Sequence, residues 1–244
     1  MRRLRERGWP VSELVEQPLH HAGQIWCLLT KLSGSGTTDK SKDEQLRRGR
    51  LLAQLHESTA ELTDLGQRAG FQLPHEILSD PGLRGALQKY EVLRPDTGYL
   101  LRWHLEKALH RLDVLEVSQA DKLVLHSDFT SWNVLYVDDT LTGILDFEAT
   151  HLNYRVADFA LSWRGCYDSV IQGCEEVRKL NDLDWQLLVP AFWSWLFMGM
   201  RKWIEQTSDE ELRETDFKWQ TKLITRRSPL FGNMCEPFPS HPPT

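Results

Sequence analysis

The chain has 244 residues, 41 % hydrophobic and 26 % charged, with a net charge of −6 and a pI of about 5.9. That length can bury a substantial core as one large domain or two small ones. The acidic balance argues against a nucleic-acid-binding surface, which needs a basic face. The longest apolar run, 187–200, holds Pro190 and is too short to span a bilayer.

In chain order, residues 2–8 are basic and read as a short helix ended by Gly8 and Pro10. Residues 1–7 lack the apolar stretch of a signal peptide. Residues 24–32 read as a strand and 33–38 as a flexible connection. No Lys-Ser/Thr follows Gly34-x-Gly36, so that pair reads as a loop rather than a phosphate cradle. Residues 41–66 read as one helix, capped by Ser41 or Asp43, with Leu51, Leu52, Leu55, Leu62 and Leu65 at helical spacing. His56 lies on that apolar stripe and reads as a structural residue.

Residues 67–98 carry Pro74, Pro81, Gly82, Gly85, Pro95 and Gly98 and read as irregular; 99–117 read as a second long helix. Strands are expected at 122–125, 133–137 and 141–146, the last two joined by a tight turn at Asp138-Asp139. Val156, Phe159, Ala160 and Trp163 predict a helix, and 183–206 a very apolar one. Ser208 opens a capped helix whose acids suit the positive end of the dipole. Glu205, Asp209, Glu210, Glu211 and Glu214 read as a solvated face rather than an acidic pocket. From Ser228 onward Pro, Gly and Ser predict a tail. Cys27, Cys166, Cys174 and Cys235 form no C-x-x-C or zinc spacing and read as free thiols of a cytoplasmic protein.

Residues 126–133 read His-Ser-Asp-Phe-Thr-Ser-Trp-Asn, an H-x-D-x-x-x-x-N pattern, and Asp146-Phe147-Glu148 follows. Asn133 lies five positions after Asp128, and Asp146 thirteen after Asn133. Kinase-type transfer needs an Asp to accept the hydroxyl proton, an Asn on the same loop and a later Asp to hold magnesium against the nucleotide phosphates. Asp128 is the candidate catalytic base; Asn133 and Asp146 are the candidate metal and nucleotide ligands. Hard oxygen donors of this kind suit Mg2+. His126 reads as a brace of the loop, Asp158 as a helix cap that also fixes the loop, and Glu148 as a brace of Asp146 or a solvent-facing side chain.

Residues 123–136, 143–148 and 155–162 resemble the catalytic loop, the magnesium motif and the following helix start of the aminoglycoside phosphotransferase and choline kinase-like family. Ser127 stands where that family has Gly. Residues 51–56 resemble its L-x-x-L-H helix end and 25–34 its hinge strand, so the resemblance covers about residues 10–205. It implies an α+β, protein kinase-like fold with a mostly helical C-terminal lobe and a small catalytic hairpin. It implies a remnant of the N-terminal lobe and hinge at 1–34, the C-terminal lobe at 35–228 and a tail at 229–244. A Gly-rich loop and strand lysine are not found before the hinge, so the N-terminal lobe is expected to be truncated. The implied function is ATP- and Mg2+-dependent transfer of a phosphoryl group to a hydroxyl of a small molecule, with neither nucleic acid nor membrane as partner. The alternatives are a catalytically silent binding module and a magnesium-dependent hydrolase using Asp128 and Asp146.

Overall fold

A computed structural model describes residues 1–225 of the chain; the expected tail at 229–244, the end of the 35–228 lobe and Cys235 lie outside the described residues. Helix α1 (Arg2–Glu6) leads into a hairpin of β1 (Leu19–His21) and β2 (Gln24–Trp26). The expected strand over 24–32 is shorter than predicted. Past Trp26 the stretch 28–30 pairs with residues 13–15 around a Leu14–Leu29 bridge. Residues 33–38 are not a loose connection either. Ser35 bridges to Tyr136, the Thr142 hydroxyl donates to the Ser33 carbonyl at 2.6 Å, and Gly34 sits at φ 123°. A Cβ on Gly34 would approach the Tyr136 carbonyl to 2.9 Å, so this crossing requires glycine.

Helix α2 (Lys42–Thr59) starts at a reciprocal capping box between Ser41 and Glu44. It ends at Thr59, seven residues short of the expected Gly66, and residues 63–65 form a separate 3-10 turn. The break lets Asp64 meet the Arg3 guanidinium in a two-pronged pair at 2.6 and 2.7 Å.

The expectation of an irregular 67–98 is overturned: α3 (Pro74–Ser79), α4 (Pro81–Leu93) and α5 (Pro95–Asp113) fill that stretch. Each proline occupies the first helical position, where its missing N–H breaks no helical bond and its fixed φ favours the start. Asp80 caps α4 by accepting the Gly82 N–H at 2.7 Å. Helix α5 accordingly lies four residues earlier than the predicted 99–117.

Three two-stranded antiparallel sheets are present among the described residues. Strand β3 (Lys122–Leu125) pairs with β6 (His151–Tyr154), a strand the sequence pattern does not signal. Strands β4 (Val134–Val137) and β5 (Thr140–Ile144) form a hairpin, and Asp138 and Asp139 both take positive φ as its tight turn requires. The helix expected from Val156 is a 3-10 turn over Arg155–Asp158 followed by the short α6 (Phe159–Ser162).

Helix α7 (Asp168–Val177), unforeseen from sequence, crosses α2 at a double glycine contact. A Cβ on Gly49 would strike the Val170 carbonyl, and one on Gly173 the Leu46 carbonyl. Helix α8 (Asp182–Gln206) runs through the core with Leu188, Phe192, Trp193 and Phe197 buried, and it carries Pro190 inside. Ser208 caps α9 (Asp209–Glu214), and α10 (Lys218–Ile224) closes the described chain. Among the described residues no helix is long and apolar enough to cross a membrane.

Candidate active site

The loop between β3 and β4 carries His126, Asp128 and Asn133, and the end of β5 delivers Asp146. The buried His126 ring ties the two segments together. Its Nε2 lies 2.8 Å from the Leu145 carbonyl, and its Nδ1 accepts the Asp128 backbone N–H at 3.2 Å. A carbonyl can only accept, so Nε2 carries the proton and the ring is neutral. Burial lowers the His126 pKa, against the raising influence of the Asp158 charge and the Leu145 hydrogen bond.

Asn133 is buried; its Nδ2 donates to the Asp128 carbonyl at 3.0 Å, and its own carbonyl accepts the Leu145 N–H at 2.8 Å. With its NH2 group so committed, the side-chain oxygen is the atom left for a cation. Asp128 is half-buried, and burial raises its carboxyl above the ordinary value; the charge of Asp146 adds to this, while His126, Asn133 and Arg164 oppose it. The Asp146 charge thus acts on the Asp128 carboxyl. Asp146 is exposed and takes a left-handed backbone, φ 62° and ψ 60°. A site of two carboxylates and one amide oxygen fits a hard divalent cation such as Mg2+. Glu148 is exposed, and its carbonyl accepts the Arg68 guanidinium.

Asp158 supports the loop from beneath. Fully buried, its carboxylate accepts the N–H groups of Ser127 at 2.6 Å and His126 at 3.2 Å, and meets His56 Nε2 at 2.8 Å. Burial alone would raise the Asp158 pKa, but the His56 hydrogen bond, the neighbouring imidazoles and the Ser127 N–H outweigh it and hold the pKa below the ordinary value. Its side chain makes no cap to α6, contrary to the cap expected from sequence.

Two supporting residues escaped the sequence reading. Arg48 is buried on α2, pairs with Asp39 at 2.9 Å and donates to the Phe129 carbonyl at 3.0 Å. Its signal was an arginine on the buried side of a helix. His151 on β6 meets the Ser127 hydroxyl at 3.1 Å and the Ala149 carbonyl at 2.7 Å, a relation no local pattern announces. Glu205, Asp209, Glu210, Glu211 and Glu214 are exposed, with Glu205 paired to Arg201 and Asp209 to Lys89.

The chain spans 44 % of the length of a curated relative, a homoserine kinase from Zymomonas mobilis subsp. mobilis, with 25 % identity over 149 residues, 60 % of this chain. Among solved structures it is similar to an aminoglycoside phosphotransferase from Alicyclobacillus acidocaldarius, with a TM-score of 0.66 at 14 % identity, covering 91 % of this chain and 77 % of that one. An amicoumacin kinase in complex with AMP-PNP and Ca2+ gives a TM-score of 0.59 at 12 % identity, over 91 % of this chain and 74 % of that one. A spectinomycin phosphotransferase in complex with ADP and spectinomycin gives 0.52 at 14 % identity, over 87 % and 74 %. These likenesses carry the kinase-like fold. Residues 1–181 match the phosphotransferase enzyme family (APH), and the chain belongs to that family.

Proposed function

We propose that the chain is a small-molecule kinase that moves a phosphoryl group from ATP to a hydroxyl of a small acceptor. The observation that carries this reading is the His126 bridge: one neutral ring orders both the Asp128 loop and the Leu145-Asp146 strand end. Asp128 would orient the acceptor hydroxyl and take its proton. Its raised pKa, a product of burial first and Asp146 second, makes it a better proton acceptor than an ordinary carboxylate. Asp146 and the Asn133 side-chain oxygen would hold Mg2+. When bound, the metal supplies positive charge to the nucleotide phosphates. Asp158 and His56 keep the loop in register without touching substrate. Cys27 and Cys174 are free thiols, in keeping with a cytoplasmic enzyme.

Calorimetric titration of Mg2+-ATP into the wild type and Asp146→Ala tests the reading. Binding that needs Mg2+ and weakens at least about tenfold in the variant, or 1.4 kcal/mol, supports it. Absence of binding by both proteins would replace it with the silent binding module.

A further inference from the structure

A cavity of about 280 Å³ lies beside the candidate active site, between α3, α8 and the loop that carries Asp128. Its body is apolar: Phe71, Ile77, Leu161, Trp195 and Met198 line it, with alanines from the segments around Asp158 and from α8. Among the described lining residues none is Asp, Glu, Lys or Arg. An amine-bearing ligand would therefore lose its hydration with no carboxylate to replace it, a cost that selects against cations. A neutral apolar body loses nothing comparable and gains from leaving water.

The polar lining of the cavity consists of Gln72, Ser127, His151, Asn153 and Ser194. Ser127, the residue before Asp128, lines the cavity together with His151. The His151 Nδ1 lies 2.7 Å from the Ala149 carbonyl, so Nδ1 carries the proton. Its Nε2 accepts from the Asn153 amide at 2.9 Å, which fixes that tautomer. The Ser127 hydroxyl, 3.1 Å from the same Nδ1, then sits on a donor and accepts from it. Its own hydrogen is left to point at a ligand oxygen. The Ser194 hydroxyl is spent on the Ala191 carbonyl at 2.7 Å, so Ser127 is the hydroxyl donor that the cavity offers, beside the Gln72 amide, in a mainly apolar chamber.

From this arrangement we infer that the cavity binds a small uncharged alcohol with an apolar body, its hydroxyl held by Ser127. The size, at the small end of ligand pockets, suits a small ligand. This binding needs no nucleotide and stands apart from the kinase reading.

Saturation-transfer NMR and Trp fluorescence titration, without nucleotide, would use benzyl alcohol as the neutral probe and kanamycin as the polycationic one. The full chain is compared with Ala160→Leu, which narrows the chamber, and Met198→Lys, which places a charge at an exposed wall position that tolerates it. Saturable benzyl alcohol binding, weakened at least fivefold by either variant that keeps wild-type circular dichroism, is expected. Lack of saturable binding by the wild type, binding unaffected by both variants, or tighter binding of kanamycin that the variants weaken would each overturn the inference. Because Mg2+-ATP binding is measured separately, failure of the cavity and failure of the kinase reading are distinct results.

Discussion

Asp158 accepts the backbone N–H of Ser127 at 2.6 Å and so helps to hold the candidate catalytic loop onto the helical core. The same carboxylate reaches His56 on α2, 102 residues away in sequence, so the loop, α2 and the start of α6 share one buried charge. Replacement by Asn would turn one acceptor into a donor facing N–H groups. A broken buried pair costs about 3–5 kcal/mol. Asp158→Asn should therefore lower the urea midpoint strongly, and a loss under about 0.5 kcal/mol, the range of ordinary surface changes, would refute the clamp.

The pH dependence of that clamp has a defined sign. The folded pKa of Asp158 lies below its ordinary value of 3.8, so its contribution is fully present above that pH and is lost as pH falls through the folded value. The stability gap between wild type and Asp158→Asn should be constant from neutral pH down to the ordinary carboxyl range and narrow below it. Denaturation curves at a series of acid pH values measure this; a gap that widens on acidification contradicts it.

Asp128 works in the opposite direction. Its folded pKa is raised, first by burial and then by Asp146, so ionisation at neutral pH destabilises the fold. Asp128→Asn should abolish phosphoryl transfer and leave stability at pH 7 equal or higher, with the gain vanishing below pH 3.8, where both states are protonated. Thermal melts alongside an ATP-consumption assay separate the two effects. A destabilised variant would mean that the carboxylate has a structural partner instead.

Ser127 occupies the left-handed region at φ 69°. That conformation costs a non-glycine residue about 1–2 kcal/mol. Ser127→Gly should therefore fold at least as stably as the wild type, whereas Ser127→Val, β-branched and without the hydroxyl, should lose about 2 kcal/mol or more. Equal stability of the two variants in urea would argue against this backbone conformation.

At the crossing of α2 and α7, alanine at position 49 would gain about 1 kcal/mol of helix propensity. The Cβ would, however, run into the Val170 carbonyl, and backbone cannot yield as a flexible side chain does. Gly49→Ala should thus destabilise by about 1–3 kcal/mol, the usual range for overpacking. A stabilised variant would show that the helices separate without cost.

Local chemistry made the core of this site legible in the sequence. Strand β3 and the Asp138-Asp139 turn each depend on residues within a few positions of one another, and both appear where they were expected. The helices over 74–93 were hidden because proline reads as a breaker unless its position at a helix start is known, and that position depends on what the helix packs against. Pairing of β3 with β6, the Asp158–His56 contact, the glycine crossing and the uncharged cavity beside Ser127 join segments far apart along the chain. Sequence by itself determined which groups could carry the chemistry. Only the tertiary structure decided which buried partners orient them and what lies beside them, because burial and long-range hydrogen bonding exist only once the chain has closed on itself.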